Sequence, residues 1–116
     1  MKGSILLVED EDYSASLKRA IERKDYFVIL YRDGQEAIDE IKNGLKYNLA
    51  IIDLSIPKID GEEVINLCKQ INPNIPVFSF SGYSYKPKSS DMHIGKPIIL
   101  EDLIEIIDSY FPKKEL

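Results

Sequence analysis

Five short apolar runs, too brief for helices, alternate along this chain with amphipathic stretches. They fall at residues 5–8, 26–31, 49–54, 76–80 and, more weakly, 92–95. Unbroken apolar runs of strand length describe strands buried on both faces, and helices must then cover both faces. The intervening stretches have helical spacing. Tyr13, Leu17, Ala20 and Ile21 share one face of residues 12–24. Ala37, Ile38 and Ile41 mark a second helix, Val64, Leu67, Cys68 and Ile71 a third. Leu103, Ile104, Ile106, Ile107 and Tyr110 mark the last, over residues 100–111. Strand–helix alternation of this kind gives an α/β fold, a doubly wound five-stranded parallel sheet with right-handed crossovers. Local signals set the boundaries. Asp33 with Glu36 forms a capping box, Asn43-Gly44 a left-handed stop, and Asp60 a cap followed by Glu62 and Glu63.

A chain of 116 residues has room for one domain, expected to span 1–116. With 15 basic and 20 acidic residues its net charge is −5. That charge repels phosphate backbones, so a nucleic-acid partner is not expected. The lone Cys68 cannot form an internal disulfide, and it reads as a buried small hydrophobe in a reducing compartment. No apolar run approaches the ~20 residues that span a bilayer, and the start of the chain lacks a secretory leader pattern. The expectation is a cytoplasmic protein with no membrane association.

Open parallel sheets bind ligands beyond the carboxyl ends of their strands. Here the polar residues that interrupt the apolar pattern sit at those ends. Glu9-Asp10 follows the first strand, Asp53 closes the third, Ser81 follows the fourth and Lys96 the fifth. Singly, each has an ordinary reading. Residues 9–12 resemble a capping run, Ser81 a turn hydroxyl, Lys96 a solvated lysine. Asp53 is harder to dismiss, because a carboxylate ending an apolar strand is costly unless solvated, paired or metal-bound. Their arrival together at consecutive strand ends points to a site.

The ordered set Leu7-Val8-Glu9-Asp10-Glu11, Asp53 with Pro57 and Gly61, Ser81-Gly82 and Gly95-Lys96-Pro97 resembles the receiver domains of two-component response regulators. The resemblance runs from Ser4 to Phe111. It implies the flavodoxin-like strand order 2-1-3-4-5 and makes Asp53 the phosphoacceptor. It implies Mg²⁺ ligation by Asp10, Asp53, Glu9 and the backbone carbonyl of Ser55. Lys96 and Ser81 would contact phosphoryl oxygens, and a cis bond would join Lys96 to Pro97. The chemistry suits these residues, since phosphoryl transfer needs an oxygen nucleophile and cations to neutralise charge, and Mg²⁺ prefers oxygen ligands. The implied partners are a sensor histidine kinase or histidine phosphotransfer protein and an unknown output protein. Activity beyond Mg²⁺-dependent self-phosphorylation and slow autodephosphorylation is not expected, so the chain is not read as an enzyme. Two alternatives stand beside this reading: a phosphorylation-independent pseudo-receiver binding module, and a flavin-binding protein of the same architecture. The second is opposed by the acids of residues 9–12, which would repel a phosphate.

Three features depart from the resemblance. Only 14 residues separate Ser81 from Lys96, and residues 82–91 lack helical periodicity. The fourth helix, which receivers place between the fourth and fifth strands, is therefore expected to be missing or very short. His93 stands where receivers carry Tyr or Phe, either as a weak or pH-sensitive relay or as a half-exposed strand residue. Ile98-Ile99-Leu100 replaces the polar cap of the last helix, either packing partly into the core or forming an apolar patch with Tyr13, Ser14 and Leu17. Ser55 and Tyr83 flank the expected site, and Tyr83 is expected to shield a phosphoryl group from water.

Overall fold

The computed structural model describes residues 1–112, and the five apolar runs become β1 (Gly3–Val8), β2 (Tyr26–Tyr31), β3 (Leu49–Asp53), β4 (Val77–Ser81) and β5 (Met92–Gly95). They form one sheet in the order β2-β1-β3-β4-β5, and every pairing is parallel. Four helices lie among them: α1 (Ser14–Glu22), α2 (Gly34–Lys42), α3 (Gly61–Ile71) and α4 (Leu100–Ser109). This is the expected flavodoxin-like architecture.

Alternate residues of each central strand enter opposite cores, as the two-residue period requires. Ile5 and Leu7 of β1 pack with Ile51, Phe78, Leu103 and Ile107 on the face covered by α1 and α4. Leu6 and Val8 pack with Ile52, Ala37, Val64 and Cys68 on the face covered by α2 and α3. All of these side chains are buried. Each large one contributes about 1.5–3 kcal/mol by leaving water, so the central runs are unbroken because neither face of the sheet is wet there; in the edge strand β2, Phe27 is exposed.

The expected caps form at α2 and α3. The Glu36 N–H donates to Asp33 Oδ1 at 2.8 Å, and the Glu62 N–H donates to Asp60 Oδ1 at 3.0 Å. Gly44 has φ +87°, the left-handed stop its sequence announces. Gly61 is required by close approach. A Cβ there would lie 2.1 Å from the Asp53 carbonyl oxygen and 2.7 Å from the Leu54 Cα.

Several local expectations are corrected. The first helix starts at Ser14 rather than Asp12, and its N-cap, Tyr13, makes no side-chain cap. The residues before it fold toward the strand ends instead: the Glu11 N–H donates to Glu9 Oε1 at 3.2 Å, and the Ser14 N–H to the Glu11 carbonyl at 2.9 Å. The face read from spacing holds at Ile21, which is buried, and Leu17, which packs on the core, but its first member Tyr13 is 39% exposed while Ser14 is buried. Ile71 ends α3 exposed, beyond the reach of the sheet.

No helix joins β4 to β5. The connecting residues form an irregular loop laid against α3, with Pro87 and Ser90 buried. The Tyr85 hydroxyl donates to Glu62 Oε1 at 3.0 Å, and the Ser89 hydroxyl donates to Asn66. Asp91 accepts from Lys69 Nζ at 2.9 Å and from the Val77 N–H at 2.7 Å. Side chains thus replace the hydrogen bonds and packing a helix would supply. At α4 the cap is absent as expected. Ile98 packs on the core, while Ile99 is 64% and Leu100 38% exposed. Among the described residues no helix is long and apolar enough to cross a membrane.

Candidate functional site

The carboxyl ends of β1, β3, β4 and β5 meet at one edge of the sheet. Parallel pairing sets Val8 beside Ile52 and Asp53 beside Phe80, so Glu9, Asp10 and Asp53 emerge together. Each offers a carboxylate oxygen, and the three oxygens lie within 4.8 Å of one another. Glu9 and Asp53 are buried and Asp10 is half-buried. Three hard oxygen donors at this spacing fit a divalent cation of the Mg²⁺ class, which takes carboxylates and keeps several waters.

Lys96 supplies the cation among the described side chains. Its Nζ lies 2.9 Å from Asp53 Oδ2, 3.0 Å from Glu9 Oε2 and 3.4 Å from Glu11 Oε1. It also sits 4.8 Å from the centroid of the Phe80 ring and 5.6 Å from that of Tyr13, within the range of cation–π attraction. The Lys96–Pro97 peptide is cis, as expected. The other Asp53 oxygen, Oδ1, accepts from the Ser55 N–H at 2.9 Å, which fixes the carboxylate plane. The Asp10 carbonyl accepts from Arg32 Nη2 at 2.7 Å and ties the acidic segment to the end of β2.

These pairings divide the protonation states. Burial pushes the Glu9 carboxyl up to about 7; Asp53 adds to the rise, and Lys96 only partly opposes it. Burial alone would lower the Lys96 ammonium, but its hydrogen bonds to Asp53 and Glu9 raise it above its ordinary value. Burial raises the Tyr13 hydroxyl to about 12, so it stays protonated and donates to Glu9 Oε2 at 3.1 Å.

Ser81 is buried at the end of β4. Its Oγ accepts from the Tyr83 N–H at 3.1 Å and lies 3.1 Å from the Tyr83 carbonyl oxygen. The Tyr83 ring is 75% exposed. His93 is the half-exposed strand residue that one of its two readings expected, and its ring is held on both sides. Its Nδ1 is 2.8 Å from Ser79 Oγ, its Nε2 is 2.7 Å from the Tyr83 carbonyl oxygen, and Ser81 Oγ is 3.4 Å from Nε2.

Sequence reasoning brought Glu9, Asp10, Asp53, Ser55, Ser81 and Lys96 to this edge, and the structure holds them there. It missed three participants. Glu11 and Tyr13 looked like parts of a capping run and a helix face, yet both reach the Lys96–Glu9 pair. Ser79 was absorbed into an apolar strand. The signal was present, since Ser79 and Ser81 alternate with Phe78 and Phe80, but only the register that sets Ser79 beside His93 gives it meaning. Of the suggested patch, Tyr13, Leu17, Ile98 and Leu100 do come together, lining with Pro97 and Leu103 among others a cleft of about 480 Å³ beside the site, whereas Ser14 is buried and takes no part.

Comparison with known proteins fits this geometry. The family model for the response regulator receiver domain matches residues 5–108. The chain is 31% identical over 111 residues to the uncharacterized transcriptional regulatory protein YkoG of Bacillus subtilis, covering 89% of this chain and 48% of that one. It is 25% identical to sporulation initiation phosphotransferase F of the same organism, covering 98% of each. It thus spans about half the length of the transcriptional-regulator relatives it matches and nearly all of shorter ones. A CheY-like response regulator receiver domain protein from Methanospirillum hungatei superposes with a TM-score of 0.82 at 27% identity, covering 91% of this chain and 90% of that one. The acidic strand ends, the buried aspartate and its lysine thus sit in a matched sequence and a matched fold, and the chain belongs to the response regulator receiver domains.

Proposed function

We propose that this receiver accepts a phosphoryl group on Asp53 from the phosphohistidine of a sensor histidine kinase or phosphotransfer protein. It then signals to an output protein by surface contact in the cytoplasm. The observation that carries the reading is the setting of Asp53. It is buried at the end of β3, one oxygen held by Ser55 and the other by Lys96, within 4.8 Å of the Glu9 and Asp10 oxygens.

An Asp53 carboxylate oxygen forms the new P–O bond. The P–N bond to the donor histidine breaks, and the imidazole leaves with the electron pair and takes up a proton. Lys96 moves its hydrogen bond from Asp53 to a phosphoryl oxygen, and the Ser81 hydroxyl donates to another. Asp10, Asp53, Glu9 and the Ser55 carbonyl are the groups that would hold Mg²⁺, and the ion would supply positive charge to offset the phosphoryl oxygens. Tyr13 and Phe80 shield Lys96 from water, which strengthens its attraction for an anion.

Incubation with Mg²⁺ and acetyl phosphate tests the reading by intact mass. One added phosphoryl group is expected on the parent protein and none on Asp53→Asn. Equal labelling of the two would overturn the assignment, and omission of the divalent cation should abolish the label.

A further inference from the structure

Beneath the site, on the β4–β5 side, lies a chain of polar groups that, Ser81 apart, has no role in the proposed chemistry. Ser79 and Ser90 are buried, Ser81 is buried beside the site, and His93 joins them. The distances assign each proton. The Ser79 N–H donates to Ser90 Oγ at 3.1 Å, and the Ser90 hydroxyl donates to the Met92 carbonyl at 2.7 Å. His93 Nε2 faces the Tyr83 carbonyl at 2.7 Å, an acceptor that has no proton to give, so Nε2 carries the hydrogen. His93 Nδ1 is then an acceptor for the Ser79 hydroxyl, 2.8 Å away, against 2.9 Å to Ser90 Oγ and 3.4 Å to the Met92 carbonyl.

This order decides what is left for Ser81. Its Oγ already accepts the Tyr83 N–H. Its own hydrogen has one nearby acceptor, the Tyr83 carbonyl at 3.1 Å, which the shorter bond from His93 already serves. The imidazole cannot take that hydrogen either, because the nitrogen facing Ser81 is the protonated one. Turning the Ser81 hydroxyl away therefore leaves the Tyr83 carbonyl still paired, to His93, and does not incur the cost of an unmade bond there.

We propose that His93 is a positioning residue for Ser81: by donating its Nε2 hydrogen to the Tyr83 carbonyl, it frees the Ser81 hydroxyl hydrogen for a phosphoryl oxygen on Asp53. The inference rests on the phosphoacceptor reading and adds to it a tautomer and a proton path. It also accounts for imidazole at this position, since a phenyl ring would fill the space but leave the Tyr83 carbonyl to Ser81.

The test has two arms. His93 is the only histidine in the chain, so its long-range ¹H–¹⁵N correlations are assigned without ambiguity. At pH 8.5 they should show the Nε2–H tautomer, and the Nδ1–H tautomer would overturn the proposal. In the second arm, phosphorylation by acetyl phosphate with Mg²⁺ is followed in His93→Phe and His93→Gln. The phenyl ring keeps the bulk without the donor and should slow labelling about tenfold, the scale of one charge-assisted hydrogen bond. The Gln amide can donate where Nε2 did and should restore most of the rate. In a Ser81→Ala background the Phe change should add nothing. Full activity of His93→Phe, or an undiminished effect in the Ser81→Ala background, would overturn the proposal. Absence of label on the parent protein would overturn the phosphoacceptor reading and the proposal with it, and is recognised from the parent alone.

Discussion

Glu9 and Asp10 are neighbours in sequence but not in environment. Glu9 is buried, bonded by Lys96 and Tyr13, while Asp10 is half-buried and faces the same carboxylate cluster. A Mg²⁺ ion would take Asp10 directly, whereas Glu9 already has two partners and suits a water-mediated contact. Asp10→Ala should therefore lower Mg²⁺ affinity strongly and Glu9→Ala less, as read by calorimetric titration; equal affinity in all three proteins would reduce the acidic pair to a turn. Gly61 acts at the same scale without touching a ligand. A methyl group there would meet the Asp53 carbonyl at 2.1 Å, and backbone cannot yield as a side-chain tip can. Gly61→Ala should cost about 1–3 kcal/mol by overpacking. It should also weaken Mg²⁺ binding by displacing Asp53, a pairing of effects that denaturant melts and titration together would check.

At the scale of elements, the β4–β5 connection decides how a signal can leave the site. Residues 87–91 are pinned to α3 and β4 through Ser89, Ser90 and Asp91, whereas Gly82, Tyr83 and Ser84 are exposed and lie next to Ser81. On phosphorylation, amide hydrogen exchange should change at residues 82–86 and stay steady at 87–91; change spread evenly across the loop would refute this division. The loop also marks the limit of what the sequence discloses. Its lack of helix was legible, because 14 residues lack the room and the periodicity. Its anchors were not, because Tyr85–Glu62 and Ser89–Asn66 join residues 23 apart in sequence, and only the packed fold brings them together. The start of α1 misled for a similar reason. Asp12 and Glu11 have the chemistry of caps, but the pull of the strand-end site directs this segment elsewhere. The strands were legible nearly to the residue, since burial on both faces leaves an unbroken apolar signature that solvent-exposed elements lack.

Across the whole molecule, the fold gathers three carboxylates at one edge of the sheet, and stability must reflect that. Burial pushes Glu9 from an ordinary 4.5 up to about 7. A raised carboxyl pKa means the folded state holds a proton that the unfolded state has released, so stability falls as pH rises from about 4.5 to about 7. Other shifted groups act outside that window. Asp33 and Asp108 lie below their ordinary values, and Tyr13 and Tyr26 above theirs. Metal-free protein should therefore lose thermal stability between about pH 4.5 and 7. Glu9→Gln, which cannot ionise, should flatten that slope. Saturating Mg²⁺ should also oppose it, because ligation favours the charged cluster and releases the proton. Melting temperatures of parent and variant across this range, with and without Mg²⁺, decide the matter. A slope as steep in Glu9→Gln as in the parent would show that the strand-end cluster does not limit the stability of the fold.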